Sequence, residues 1–298
     1  MNLNFNKFLP FLIGVSIGLI LYFSVHWWGF FVVFPWIGLS ISIGLIVASA
    51  KKGKQKDIGR KLSILLISPV FLVFLGTFQR ENLQVEETVF YMSLFLATGL
   101  FTRVLIHFAV AKIFGPLIWG RGFCGWACWT AAVLDWLPIN ENKPLPKKYE
   151  WYRYPVLVLS LLIPLAFIVL GYDYVNGHLQ GKGSGLFQTA KFDQLIWFLI
   201  GNALYYISGI ILAFKFRKKR AFCKILCPVS LLMKPQSTVA LIRRRPTENH
   251  CIECGSCNRN CPMDVDVMSY ISRGRNITSS ECIQCCICIN VCGENAIK

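Results

Sequence analysis

Cys251-x2-Cys254-x2-Cys257-x3-Cys261-Pro262 and Cys282-x2-Cys285-x2-Cys288-x3-Cys292 give the chain eight thiols in two runs of one spacing. Thiolates at these intervals wrap two [4Fe–4S] cubes, and the fourth cysteine of each run reaches the other cube. The spacing assigns Cys251, Cys254, Cys257 and Cys292 to one cluster, and Cys282, Cys285, Cys288 and Cys261 to the other. A pair of four-thiolate zinc sites is the alternative, but zinc motifs rarely repeat this interval twice. Cys286 is left over and reads as a packing thiol. The second run ends Cys292-Gly293 where the first ends Cys261-Pro262, which changes the turn and keeps the ligand.

A second pattern lies upstream. Arg121-Gly-Phe123-Cys124-Gly-Trp-Ala-Cys128 and Arg220-Ala-Phe222-Cys223-Lys-Ile-Leu-Cys227 align Arg, Phe and both Cys at an offset of 99 residues. Each follows two apolar segments and precedes a short apolar stretch ending at Pro138 or Pro235, which predicts an internal repeat. A helical C-x3-C segment would place both sulfurs on one face. The preferred alternative starts a helix just after the second Cys, with Pro228 at its first position, because that proline would break a continuing helix. Together Cys124, Cys128, Cys223 and Cys227 supply four thiolates, enough for a third cluster or another metal site; isolated buried thiols are the alternative.

The elements that must position these residues are apolar. The 298 residues are 55% hydrophobic and 15% charged, against about 25% charged in a soluble domain. Six segments meet the requirement of about 20 mostly apolar residues: Phe8–Val25, Gly29–Ala50, Leu62–Phe78, Thr88–Val110, Pro155–Gly171 and Gln194–Phe214. Basic loops at 51–61, 141–154 and 215–220 alternate with an acidic loop at 79–87 and a charge-balanced, Gly-rich loop at 172–193. By the positive-inside rule both termini are cytoplasmic, as is every cysteine-bearing segment. The first span lacks a cleavage site and is expected to be retained. The net charge of +16 follows from these loops, and no base-reading pattern accompanies it, which speaks against nucleic acid. Disulfides are not expected among thiols on that side.

Arg103 and His107 lie four apart inside the fourth expected span, without a partner legible in sequence. They can bind a quinone carbonyl or pass a proton, or simply make an interhelical contact. No second intramembrane His supports a bis-His haem. His26 and His178 fall on the outer side and His250 beside Cys251, all three read as ordinary surface residues. Trp119, Trp126, Trp129, Trp136 and Trp151 read mostly as an interfacial belt. Arg243, Arg244 and Arg245 suit anionic headgroups, or an acidic electron donor.

The spans, the paired C-x3-C motifs and the tail together resemble the polytopic membrane ferredoxins of the NapH, NosR and CcoG type, over residues from about 60 to 298. The resemblance implies electron transfer between a cytoplasmic or quinone pool and an extracytoplasmic acceptor. Cys128-Trp129 departs from the Cys-Pro of that family's motif. The NosR-like flavin domain and the CcoG-like sandwich domain have no counterpart here, so the short NapH-like form is expected, with a partner flavoprotein or reductase for any flavin chemistry. The expected fold is an α-helical polytopic membrane protein with six transmembrane helices, an internal repeat and a small α+β two-cluster ferredoxin domain. Its units are 1–61, 62–154, 155–246 and 247–298. The expected role is an electron-transfer component of an oxidoreductase system in a bacterial cytoplasmic membrane. A redox-sensing or copper-reducing assembly factor ranks second, and a transporter with an appended ferredoxin third, since the sequence shows no broken span.

Overall fold

The computed structural model describes residues 5–99, 101–172, 174 and 192–298. Helices α1 (Leu9–Val25) and α2 (Phe30–Ser49) form a tight antiparallel pair. Gly14 and Gly38 face the partner backbone: a Cβ on Gly14 would overlap the Phe34 carbonyl, and one on Gly38 the Pro10 carbonyl. Small residues are what allow two apolar helices to close where surrounding lipid removes the hydrophobic drive. α2 packs on α3 (Asp57–Pro69), which continues as a π-helix over Val70–Phe78. Among the described residues four helices are long and apolar enough to cross a membrane: Phe30–Ser49, Gly53–Phe78, Lys147–Val169 and Phe192–Lys215, of 20, 26, 23 and 24 residues. Leu9–Val25 is shorter, at 17 residues.

The apolar run 88–110 is not one helix. α4 (Val85–Thr98) stops at Gly99, which takes φ 72° and donates its N–H to Phe95 O at 2.8 Å. That left-handed stop costs glycine little. α5 (Arg103–Phe108) begins anew after extended Thr102 and runs through a π-helix, Ala109–Phe114, into α6 (Gly115–Trp119). The sequence therefore does contain a broken apolar segment. Residues 79–87 are not a solvent loop either: Glu81, Asn82, Leu83, Gln84 and Glu87 are buried. Partners make this tolerable, since a buried polar group costs little once it is paired. Arg103 Nη2 meets Glu81 Oε1 at 2.5 Å and His107 Nδ1 meets Glu81 Oε2 at 3.3 Å. Asn82 Nδ2 donates to Glu87 Oε1 at 2.6 Å. Arg103 also lies over the Trp27 ring, 4.1 Å from its centroid. The two residues without a legible partner thus share Glu81.

Short helices α7 (Gly122–Trp126) and α8 (Trp129–Leu134) follow the first apolar stretch; the apolar helices α9 (Arg153–Val169) and α10 (Phe192–Lys215) come next, followed by the short α11 (Ala221–Ile225), α12 (Pro228–Leu232) and α13 (Lys234–Thr238). The tail carries α14 (Ser256–Arg259), α15 (Val267–Ser272) and α16 (Ile287–Asn290). Among the described residues it has no strand. The expected β component is one antiparallel bridge, Pro246 to Ile297, flanked by Arg245 N–H to Lys298 O at 2.9 Å. His178 lies outside the described residues.

Candidate iron–sulfur centres

Cys251, Cys254, Cys257 and Cys292 line one cavity of the tail. Cys261, Cys282, Cys285 and Cys288 line another, together with Cys286 and Arg244. In each cavity the fourth thiol comes from the other run. Backbone geometry brings them inward. Gly255 and Cys286 take left-handed conformations, φ 70° and 64°, and start α14 and α16, which carry Cys257 and Cys288. Backbone N–H groups already point at sulfur: Val265 N to Cys261 Sγ at 3.4 Å and Ala296 N to Cys292 Sγ at 3.3 Å. Such donors suit an anionic thiolate bound to iron. Burial pushes the Cys261, Cys282, Cys285 and Cys288 thiols up, so a bound cation's charge is what would deprotonate them. Among the described residues no three His, Cys, Asp or Glu side chains converge closely enough for a single metal ion.

Cys124, Cys128, Cys223 and Cys227 line a third cavity, with Gln84, Lys112, Arg121 and Tyr205. The two halves reach it with one local geometry. The first cysteine sits on α7 or α11. A break follows at Ala127 or Leu226, and the second cysteine is an extended residue just ahead of α8 or α12. Pro228 takes the first position of α12, where its missing N–H costs nothing. Trp129 holds the same position in α8 with φ/ψ of the preceding Cys128 at −73°/118°, close to the −63°/111° of Cys227, so the absent proline does not alter the turn. Burial pushes the Cys223 thiol up to about 11, and burial with the neighbouring thiols raises Cys128 and Cys227.

Ion pairs that no motif announces hold this assembly. Asp135 accepts from Arg60 Nη1 at 2.8 Å and from Arg220 Nε and Nη2 at 2.7 and 2.6 Å. The same guanidiniums donate to Gly125 O at 3.0 Å and Cys124 O at 2.9 Å, which clamps the first cysteine loop. Glu281, beside Cys282, meets Arg121 at 2.7 Å, Arg153 at 2.9 Å and Lys234 at 2.7 Å. Asp264, close to Cys261, meets Lys218 at 2.6 Å and Lys224 at 2.9 Å. Trp126 and Trp129 are not belt residues. Both are buried, and Trp126 Nε1 donates to Gln284 O at 3.0 Å. A Cβ on Gly125 would overlap Ile283 O, so the loop between Cys124 and Cys128 lies backbone to backbone on the loop between Cys282 and Cys285. The basic run is equally committed: Arg243 Nε donates to Ala240 O at 2.7 Å and Arg244 lines the second cavity.

Apolar helices of membrane-crossing length, joined to cysteine-lined cavities at cubane spacing, define a membrane ferredoxin. The 4Fe-4S dicluster domain family matches residues 242–293, and the 4Fe-4S binding domain family matches twice, at 94–139 and 196–244. An uncharacterized protein of Methanocaldococcus jannaschii is 24% identical over 243 residues, 72% of this chain and 85% of its own. The ferredoxin-type protein NapH of Haemophilus influenzae is 26% identical over 204 residues, 65% of this chain and 67% of its own. The putative electron transport protein YccM of Escherichia coli is 24% identical over 191 residues, 61% of this chain and 52% of its own. No solved structure matches. Over its tail and both C-x3-C halves the chain is thus similar to 4Fe–4S ferredoxin-type electron transport proteins of the NapH kind.

Proposed function

We propose that this chain is a multi-pass membrane protein of a bacterial cytoplasmic membrane that relays electrons through three iron–sulfur centres. The relay runs between its cytoplasmic tail and a quinone or an extracytoplasmic redox partner. One observation carries the reading: three cavities each gather a set of four cysteines, the second with Cys286 besides, and the loops of two of them touch through Gly125 and Ile283. When bound, a [4Fe–4S] cluster supplies a site that takes up and gives back one electron.

The protein's own part is to hold, bury and order the sites. Cys251, Cys254, Cys257 and Cys292 are the ligand set nearer solvent, with Cys254 exposed. Cys261, Cys282, Cys285 and Cys288 form the middle set, and the α7 loop bears on it. Cys124, Cys128, Cys223 and Cys227 form the innermost set, closed over by Phe123, Trp129 and Phe222. A buried, water-poor site restricts electron leakage and sets the potential. Six crossings fit the structure if α5 through α6 serves as the fourth, with 79–98 folded between helices. That arrangement keeps both termini and the cysteine loops on the cytoplasmic side, the side of the basic loops. Glu81, Arg103 and His107 then lie inside the helical bundle, where they suit a quinone headgroup or a proton path.

Anaerobic purification followed by iron and acid-labile sulfide analysis tests the reading. Three clusters give about twelve irons per chain and two give about eight. Stoichiometric zinc without iron overturns it.

A further inference from the structure

The two arginines that open the repeated motif do different work. Arg220 is saturated: Nε and Nη2 grip Asp135 at 2.7 and 2.6 Å, and Nη1 donates to Cys124 O at 2.9 Å. Arg121 is equally buried but only partly used. Its Nη1 meets Glu281 Oε2 at 2.7 Å and Ser280 O at 3.3 Å. Its Nε and Nη2 have no hydrogen-bond partner among the described residues, although Arg121 is wholly enclosed. Arg121 lines the cavity of Cys124, Cys128, Cys223 and Cys227, and Arg220 does not. Lys112, the other cation lining that cavity, has its ammonium over the Phe123 ring, 3.3 Å from the centroid.

Charged donors without an acceptor are costly in a protein interior, so this edge of the guanidinium is built to meet an anion. The anion that four cysteines can gather there is iron-bound sulfur. We propose that Arg121 donates from Nε and Nη2 to sulfur of the cluster held by Cys124, Cys128, Cys223 and Cys227, while Nη1 holds Glu281 beside Cys282. One guanidinium then spans two redox sites, positions the tail against the membrane part and raises the potential of the innermost centre. Hydrogen bonds to cluster sulfur and a nearby positive charge both favour the reduced, more negative form. The planar fork matters, since its rigid edges aim donors in two fixed directions, toward Glu281 and toward the cavity; lysine keeps the charge and loses the fork. The inference rests on the proposed third cluster.

EPR-monitored redox titration of the full-length protein, anaerobic and in detergent, tests it with R121M, R121K and E281Q. R121M lowers the midpoint of the innermost signal most, retains both tail signals and leaves the midpoint of the centre at Cys251, Cys254, Cys257 and Cys292 unmoved. R121K lies between R121M and wild type. E281Q removes a negative charge and moves the same midpoint upward. Opposite signs from two partners of one ion pair are not what a general loosening produces. An innermost signal that is retained with an unmoved midpoint in R121M overturns the assignment. Should R121M lose the signal, wild-type midpoints in both R121K and E281Q overturn it. A wild-type protein without any third signal overturns the reading beneath instead, and the two failures are thereby distinct.

Discussion

Replacing Asp135 with Asn is expected to loosen the first cysteine loop more than any exposed change. Asp135 is 3% exposed, and its carboxylate receives three charged hydrogen bonds, of 2.6 to 2.8 Å, from Arg60 and Arg220. It joins α3, the end of α8 and the link before α11, and both guanidiniums go on to backbone carbonyls of Cys124 and Gly125. Removing one partner of a buried pair costs about 3–5 kcal/mol, because the other charge stays inside unpaired. The amide oxygen of Asn still accepts one bond, so the lower end applies, about 3 kcal/mol. At roughly 2–4 °C per kcal/mol that is a fall of about 6–12 °C in the thermal midpoint. The assay is heat unfolding of detergent-purified protein, read by tryptophan fluorescence, beside iron retention.

The pH dependence has a definite sign. Burial opposes ionisation of Asp135, but Arg220 and Arg60 outweigh it and hold the carboxyl well below its usual range. A depressed carboxyl contributes stability above its unfolded pKa of about 3.9, and that contribution is lost as pH falls through the folded value. The difference between wild type and D135N is therefore flat from about pH 8 to 5 and shrinks below about pH 4. A difference under about 1 kcal/mol, the scale of an exposed pair, or one that widens on acidification, would show that Asp135 is not a buried clamp.

Other changes separate the sites. Cys124→Ala and Cys223→Ala should each reduce iron from about twelve to about eight per chain and remove one EPR signal, and unchanged iron would return these thiols to packing. Cys286→Ala should leave iron content unaltered: its thiol donates to the Gln284 carbonyl, at 3.4 Å, and an alanine there keeps the cavity wall. Loss of one cluster in that variant would make Cys286 a ligand. Glu281→Gln should raise hydrogen exchange about tenfold in the loops of Arg121–Trp126 and Ile283–Cys285, as expected when a partly buried pair worth about 1.4 kcal/mol opens. Exchange at wild-type rates would show that the tail is held elsewhere.

Much of this arrangement is written in local spacing. The tail cysteines are legible because three of four ligands in each set lie within one turn-rich loop, and the cavities gather the same residues that the intervals do. The upstream cysteines are legible through the repeat of Arg, Phe and two Cys. What spacing does not carry is pairing between distant segments. Glu281 looks like a surface acid, yet three cations from the membrane part converge on it. Glu81 reads as part of an acidic loop until the break at Gly99 lets Arg103 and His107 face it. Hydropathy runs straight across that break, because apolar residues flank it on both sides. Trp126 and Trp129 mislead for a similar reason: tryptophan suits an interface and a packed loop alike, and only the facing tail decides.

On the proposed function, these cysteines hold three one-electron centres in one chain. Anaerobic reductive titration followed by EPR counts them directly. The account predicts about three electrons per chain, with three resolvable signals and magnetic interaction between the middle and innermost centres. Uptake of about two electrons or fewer, with no third signal, would contradict it.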